Sequence, residues 1–337
     1  MRIAVDAMGG DNAPHEIVKG CIDAISKIND IEIELFGPEE TVRAELSGAS
    51  ESVMSRITVT DAPDTISMHD APVEAVRRKK NSSIVMALKA VKEKRCDAFV
   101  SAGSTGAVLA GGLFVVGRIK GVKRPALASL LPTSKGFMLL MDCGANMDCK
   151  PVNLVQFGLM GSVYMHASME IDSPRVGLLN VGVEDEKGNE VAKEAFQRLK
   201  QQDINFIGNL EARDVAAGIA DVCVADGFVG NVLMKSIEGY AKFLMDMLKG
   251  VFYSNFITKL GALLVKSKLG GMKKKMNYKE YGGAPLLGVD GVVIKTHGSS
   301  DAYSVFCTIK QARAMVKSGV TAQLKKKIEE VGYKINE

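Results

Sequence analysis

An α/β fold with a largely parallel sheet is what this 337-residue sequence predicts, on three observations. Short β-branched runs end repeatedly in turns of Gly, Ser, Asn and Asp, and most of these turns open a segment of helical periodicity. Hydrophobic residues make up 47% of the chain, enough for one large core or two smaller ones. The uncharged stretch Ala98–Gly117 has the length of a membrane span, but Ser101, Ser104, Thr105 and five glycines interrupt it, so it reads as strand, loop and buried helix.

Taken in order, Ile3–Val5 is a strand that runs into Asp6-Ala7-Met8-Gly9-Gly10-Asp11-Asn12-Ala13-Pro14. Pro14 suits a first helical turn, Asn12 can cap it, and Ile17, Val18, Cys21, Ile22 and Ile25 keep one face apolar. Glu32–Phe36 alternates as a strand, Gly37-Pro38 starts a helix, and Ile57–Thr60 is a further strand. The polar helical region from Met68 to Ser83 carries Arg77-Arg78-Lys79-Lys80, which suits phosphate or an acidic partner and equally a solvated face. His69 reads as a loop or capping residue.

Cys96–Ala107 delivers a buried strand to Ser101-Ala102-Gly103-Ser104-Thr105-Gly106 and a helix start. Small residues let a backbone approach a ligand, and a helix N-terminus offers free N–H groups to an anion. A packing turn explains the same residues. The spacing matches neither G-x-G-x-x-G nor G-x-x-x-x-G-K-S/T, and Gly-Lys occurs nowhere in the chain.

Leu127–Leu131 and Phe137–Met141 flank a Ser-Lys-Gly turn as an antiparallel pair, and the second strand runs into Asp142–Pro151 and a helix to about Glu170. Arg175–Asn180, Ile204–Gly208 and Val222–Ala225 are strands, and Glu190–Leu199 is a helix. Asp226-Gly227-Phe228-Val229-Gly230-Asn231 opens another helix. From Lys235 to Lys279 there are ten lysines against Glu238 and Asp246, interleaved with Phe, Leu, Ile and Met. Two amphipathic helices broken near Tyr253–Asn255 fit this pattern, serving a membrane surface, an acidic partner or a dimer. Val292–Lys295 is a strand, followed by Thr296-His297-Gly298-Ser299-Ser300-Asp301, where Ser299 or Ser300 can cap the next helix.

The net charge of +4 does not mark a polycation built for nucleic acid. Six cysteines without C-x-x-C spacing read as reduced, buried residues, four histidines without paired spacing give no zinc signature, and the N-terminus has no signal-peptide pattern.

Several segments together resemble one family: DAMGGDNAP at 6–14, SAGSTGA at 101–107, DCGANMDCKP at 142–151, Lys187-Gly188-Asn189, DGFVGNVLMK at 226–235, GGAPLLGVDG at 282–291 and HGSSDA at 297–302. The chain resembles, essentially throughout, the bacterial acyl-acyl-carrier-protein:phosphate acyltransferases of phospholipid synthesis, usually called PlsX. The resemblance implies a three-layer αβα fold similar to phosphate acetyltransferases and isocitrate/isopropylmalate dehydrogenases, with a protruding helical hairpin over 236–280. It implies one catalytic domain over 1–337, with two interleaved lobes as an open alternative. It also implies a homodimer in the cytoplasm without metal or organic cofactor. The expected partners are inorganic phosphate, acyl carrier protein, a downstream membrane glycerol-3-phosphate acyltransferase and the inner membrane surface.

Phosphate is the nucleophile of such a reaction, so an activated Ser or Cys is not required. Ser101, Gly103, Ser104, Thr105, Gly106, Asn146, Gly230, Gly298, Ser299 and Ser300 are the expected phosphate or acyl-phosphate contacts. Lys187, Asn231 and His297 are the expected catalytic groups at the reacting carbonyl and leaving thiolate, with Asp226 orienting Lys187 or Asn231. Asp6, Asn12, Asn146 and Asp148 line the cleft or cap turns. Lys242, Phe243, Met247, Phe252, Lys259, Leu260, Leu264 and Lys266 are the expected membrane and carrier contacts. The competing readings are an acetyl- or butyryltransferase using coenzyme A, a nicotinamide-dependent dehydrogenase of the related fold, and a non-enzymatic membrane scaffold.

Overall fold

A computed structural model of the chain describes residues 1–263 and 282–331. The strands are β1 (Arg2–Asp6), β2 (Glu32–Gly37), β3 (Ile57–Asp61), β4 (Ala98–Ser101), β5 (Ala126–Thr133), β6 (Gly136–Met141), β7 (Arg175–Asn180), β8 (Asn205–Glu211), β9 (Val222–Val224), β10 (Ala284–Leu287) and β11 (Val292–Lys295). They form one 11-stranded sheet in the order β3-β2-β1-β4-β11-β10-β5-β6-β9-β7-β8. Two parallel runs, β3-β2-β1-β4-β11 and β6-β9-β7-β8, are joined through antiparallel β10 and β5.

The alternation of side chains dictates three layers. On β1, Ile3 and Val5 face one core with α1 (His15–Lys27), α2 (Glu39–Glu45) and α3 (Glu51–Met54), while Ala4 faces a second core with α4 (Pro72–Arg78), α5 (Ser83–Lys92) and α6 (Thr105–Gly111). On β6, Leu139 and Met141 face α7 (Pro151–Met169) and α8 (Glu190–Lys200), while Met138 and Leu140 face a third cluster with Leu233, Met234 and Ile237 of α9 (Gly227–Phe252). The last helices, α10 (Ala302–Lys317) and α11 (Val320–Val331), close the first core.

Several expectations need correction. β10 is a strand that the sequence does not announce, because Pro285 interrupts its run; it pairs antiparallel with both β11 and β5, and the β5–β6 hairpin then reverses the second parallel run against the first. Asn12 does not cap α1: its Nδ2 donates to the Ser300 carbonyl at 3.2 Å. The cap of α10 is Asp301, which accepts from the Ser304 N–H and hydroxyl, rather than Ser299 or Ser300.

The helix α9 runs 26 residues, yet only Gly227 and Gly230 in it are buried. The chain turns at 253–255, as the sequence predicts, and is helical again at 256–263. Along this stretch Phe243, Met247, Ile257 and Leu260 are half or more exposed, Lys242 and Lys259 are exposed, and Phe252 is half-buried. Leu264 and Lys266, with the rest of the expected second helix to 280, lie outside the described residues. Among the described residues no helix is long and apolar enough to cross a membrane.

Candidate active site

β10 and β5 lie between β11 and β6, and the two parallel runs point in opposite directions, with their carboxyl ends on opposite edges of the sheet. Against β5 and the start of β10, between the end of β11 and α9, lies a cavity of about 140 Å³. Thr105, Lys295, Thr296, His297, Ser299, Ser300 and Ser304 form its polar wall, and Leu127, Leu130, Cys143 and Met234 its apolar wall, with Ser129, Glu238 and the Gly282–Ala284 segment completing it. The polar wall stands at the carboxyl ends of β4 and β11, where open α/β sheets place ligands.

The Ser101–Gly106 turn is held from below. The Ser101 hydroxyl donates to Asp6 Oδ2 at 2.6 Å and accepts from the Gly103 N–H at 2.9 Å. Burial pushes the Asp6 carboxyl up, against the Ser101 and Ser83 hydroxyls, the Met8 N–H and the charge of Lys295. Ser104 caps α6 through the Ala107 N–H at 3.4 Å, Gly106 packs on Pro72, and Thr105 alone of this turn lines the cavity.

The facing turn is built the same way. Ser300 Oγ donates to the His297 carbonyl at 2.6 Å and pairs with Thr296 Oγ1 at 2.9 Å, while Ser299 Oγ sits 2.9 Å from His297 Nδ1. The Gly298 carbonyl accepts from the Asp11 N–H at 2.8 Å, tying this turn to the one after β1. Gly10, at φ +101°, is needed there, because a Cβ would stand 2.8 Å from that carbonyl.

On the opposite side, Asp226 caps α9 by accepting from the Val229 N–H at 2.8 Å, so it acts on Asn231 only by fixing that helix start. Asn231 Nδ2 donates to the Cys143 carbonyl at 3.1 Å. It shares one face of α9 with Met234 and Glu238, which line the cavity one and two turns on. Gly230 is where α9 crosses the turn after β6: a Cβ would stand 1.9 Å from the Asp142 carbonyl.

Asn146 was expected at the phosphate, but the structure spends its amide elsewhere. Its Nδ2 donates to Asp142 Oδ2 and to the Pro125 carbonyl, both at 2.8 Å, and it is buried. Asp142 accepts four backbone N–H bonds as well, from Leu127, Gly144, Ala145 and Asn146, so this pair braces the turn. Asp148 is exposed. Lys187 is exposed on the loop after β7 and does not line the cavity; its backbone bonds Glu184 and Asn180.

Among the described residues the ammonium in the wall is that of Lys295, a residue outside the set expected from sequence. It ends β11 and is 7% exposed. Burial lowers its ammonium to about 8, and Asp6 and Asp11 oppose the fall. Its signal in sequence is a lysine closing the apolar run Val292-Val293-Ile294 just before a hydroxyl-rich turn. Cys143 also lines the cavity, but burial and Asp142 push its thiol well above the ordinary range, so it does not supply a thiolate.

The family model described as fatty acid synthesis protein matches residues 1–323. Over 331 residues, 98% of this chain and 99% of that protein, the sequence is 52% identical to a phosphate acyltransferase of Bacillus licheniformis. Over 336 residues, the whole of both, it is 49% identical to one of Thermoanaerobacter pseudethanolicus. The chain belongs to the phosphate acyltransferase family. As a phosphate acyltransferase it is an enzyme of lipid synthesis. Its fold is shared with a phosphotransacetylase from Streptococcus pyogenes (TM-score 0.62, 18% identity, 94% of each chain covered). It is shared also with a branched-chain phosphotransacylase from Enterococcus faecalis (TM-score 0.60, 15% identity, 94% and 99% covered).

Proposed function

We propose that the enzyme transfers a long-chain acyl group from the thioester of acyl carrier protein to inorganic phosphate. A phosphate oxygen attacks the thioester carbonyl, the C–S bond breaks, and acyl phosphate and the free carrier thiol leave. The carrying observation is the composition of the cavity, where hydroxyls, His297 and Lys295 face an apolar wall. A multiply charged nucleophile suits the first wall and an acyl chain the second. Asn231 stands one turn from the cavity as hydrogen-bond donor to the tetrahedral oxyanion. Lys187, free to swing on its exposed loop, adds charge there when the carrier docks.

The exposed apolar residues of α9 and 256–263, set among Lys242, Lys249 and Lys259, support a docking face for the acidic carrier and for an anionic membrane surface. Acyl phosphate would pass from this face to a membrane acyltransferase that acylates glycerol 3-phosphate, with the enzyme peripheral to the cytoplasmic side and working as a homodimer. The test is incubation of the purified protein with long-chain acyl carrier protein, with and without phosphate. Phosphate-dependent release of carrier thiol is expected; release from acyl coenzyme A alone overturns the donor assignment.

A further inference from the structure

We propose that Lys295 is the phosphate-binding cation of this site, with Asp6 as a buried counter-charge behind it rather than a ligand contact. The inference deepens the phosphate-transfer reading above and rests on it.

Position is the first argument. Lys295 is the last residue of β11 and pairs with Ser101, the last of β4, so the lysine and the Ser101–Gly106 turn leave the sheet side by side. Its side chain lines the cavity together with the hydroxyl-bearing Thr105, Thr296, Ser299 and Ser300. Several hydroxyls around one cation form a receptor for a compact polyanion.

Cost is the second. β11 is buried at all four positions, and a charge in such a strand is expensive unless it is paired. Among the described residues Lys295 is not paired well: Nζ donates to the Thr296 carbonyl and, at 3.4 Å, to the Ala102 carbonyl. Neutral carbonyls do not cancel an ammonium charge, and the group has three N–H bonds to give. Asp6 lies near enough to act on it electrostatically but binds the Ser101 hydroxyl and the Met8 N–H, and it is fully buried away from the cavity. The arrangement leaves the ammonium short of anionic partners on its cavity side, where phosphate oxygens would complete it.

Other charged groups fix the sign of the pH response. Asp6 on β1 and Asp11 on the following loop favour the protonated lysine; His297 stands on its own loop and Glu238 on α9 across the cavity. With burial lowering the ammonium to about 8, it is charged at neutral pH and its charge is lost as pH rises through that value. Phosphate bound there favours the charged form and moves the loss to higher pH.

The experiment uses the full-length protein with Lys295→Met and Lys295→Arg, following initial rates against phosphate at a saturating concentration of the long-chain acyl thioester of acyl carrier protein, and melting by circular dichroism. For Lys295→Met the phosphate KM should rise at least about tenfold while the carrier KM stays within about twofold, and Lys295→Arg should recover part of the loss. In the wild type, kcat/KM for phosphate should fall as pH rises past about 8. A folded Lys295→Met with wild-type phosphate KM overturns the assignment, as does a wild-type profile that stays flat well above that pH. Should Lys295→Met fail to fold, Lys295→Arg and the wild-type profile decide. Calorimetric titration of inorganic phosphate alone separates the two readings. If the wild type makes no acyl phosphate yet binds phosphate through Lys295, the reaction assignment fails and the site stands.

Discussion

Ile257 and Leu260 offer a sharp test of the docking face, because they are exposed and changing them leaves the core alone. They are 80% and 55% exposed. Full burial of such a side chain is worth about 1.5–3 kcal/mol, so membrane insertion of the exposed fractions amounts to roughly 1.2–2.4 and 0.8–1.7 kcal/mol. The double variant Ile257→Ser, Leu260→Ser should therefore lose about 2–4 kcal/mol, or at least about thirtyfold in partitioning onto vesicles. Lys259→Glu adds about 1 kcal/mol or more per charge, and that part should shrink in high salt. The assay is co-sedimentation with vesicles rich in anionic phospholipid, with the thermal melt as a folding control. Binding within about threefold of wild type, in a variant with an unchanged melt, would refute the membrane role of this face.

Asn231→Ala should lower turnover about a hundredfold, the usual loss of one oxyanion donor, in a protein that still melts normally; acyl-phosphate formation measures it, and near-normal turnover removes Asn231 from the mechanism. Lys187→Ala should lower turnover in the same assay without changing the melt, since the residue is exposed. Gly230→Ala should destabilise the fold by about 1–3 kcal/mol in denaturant titration, because its Cβ would stand 1.9 Å from the Asp142 carbonyl. Cys143→Ala should keep turnover within about threefold; a loss of about a hundredfold or more would point instead to an acyl-cysteine intermediate.

Local grammar made much of this fold readable. The Ser134-Lys135 turn between β5 and β6, the helix start at Asp226 and the break at 253–255 are set by neighbours in sequence. The central pairing is only partly local. Ala284-Pro285-Leu286-Leu287 forms a hairpin with β11, four residues on, but Pro285 interrupts its run and its other partner, β5, comes from a distant part of the chain. The same limit separates the site residues. Thr105, His297, Ser299 and Ser300 were legible as small and polar groups at helix-start turns, and they do line the cavity. Asn146 has the same appearance, but only the fold reveals that Asp142 and Pro125 consume its amide. Lys295 is hard to read from sequence because a lysine ending a strand ordinarily points to solvent. Its burial follows from lying between β4 and β10.

The measurement that bears most directly on the whole account is phosphate-dependent thiol release from a long-chain acyl carrier protein, followed together with acyl phosphate. One acyl phosphate should form for each carrier thiol released, with no release when phosphate is withheld. Thiol released without phosphate, yielding free fatty acid, would contradict phosphate as the nucleophile and with it the reading of the cavity.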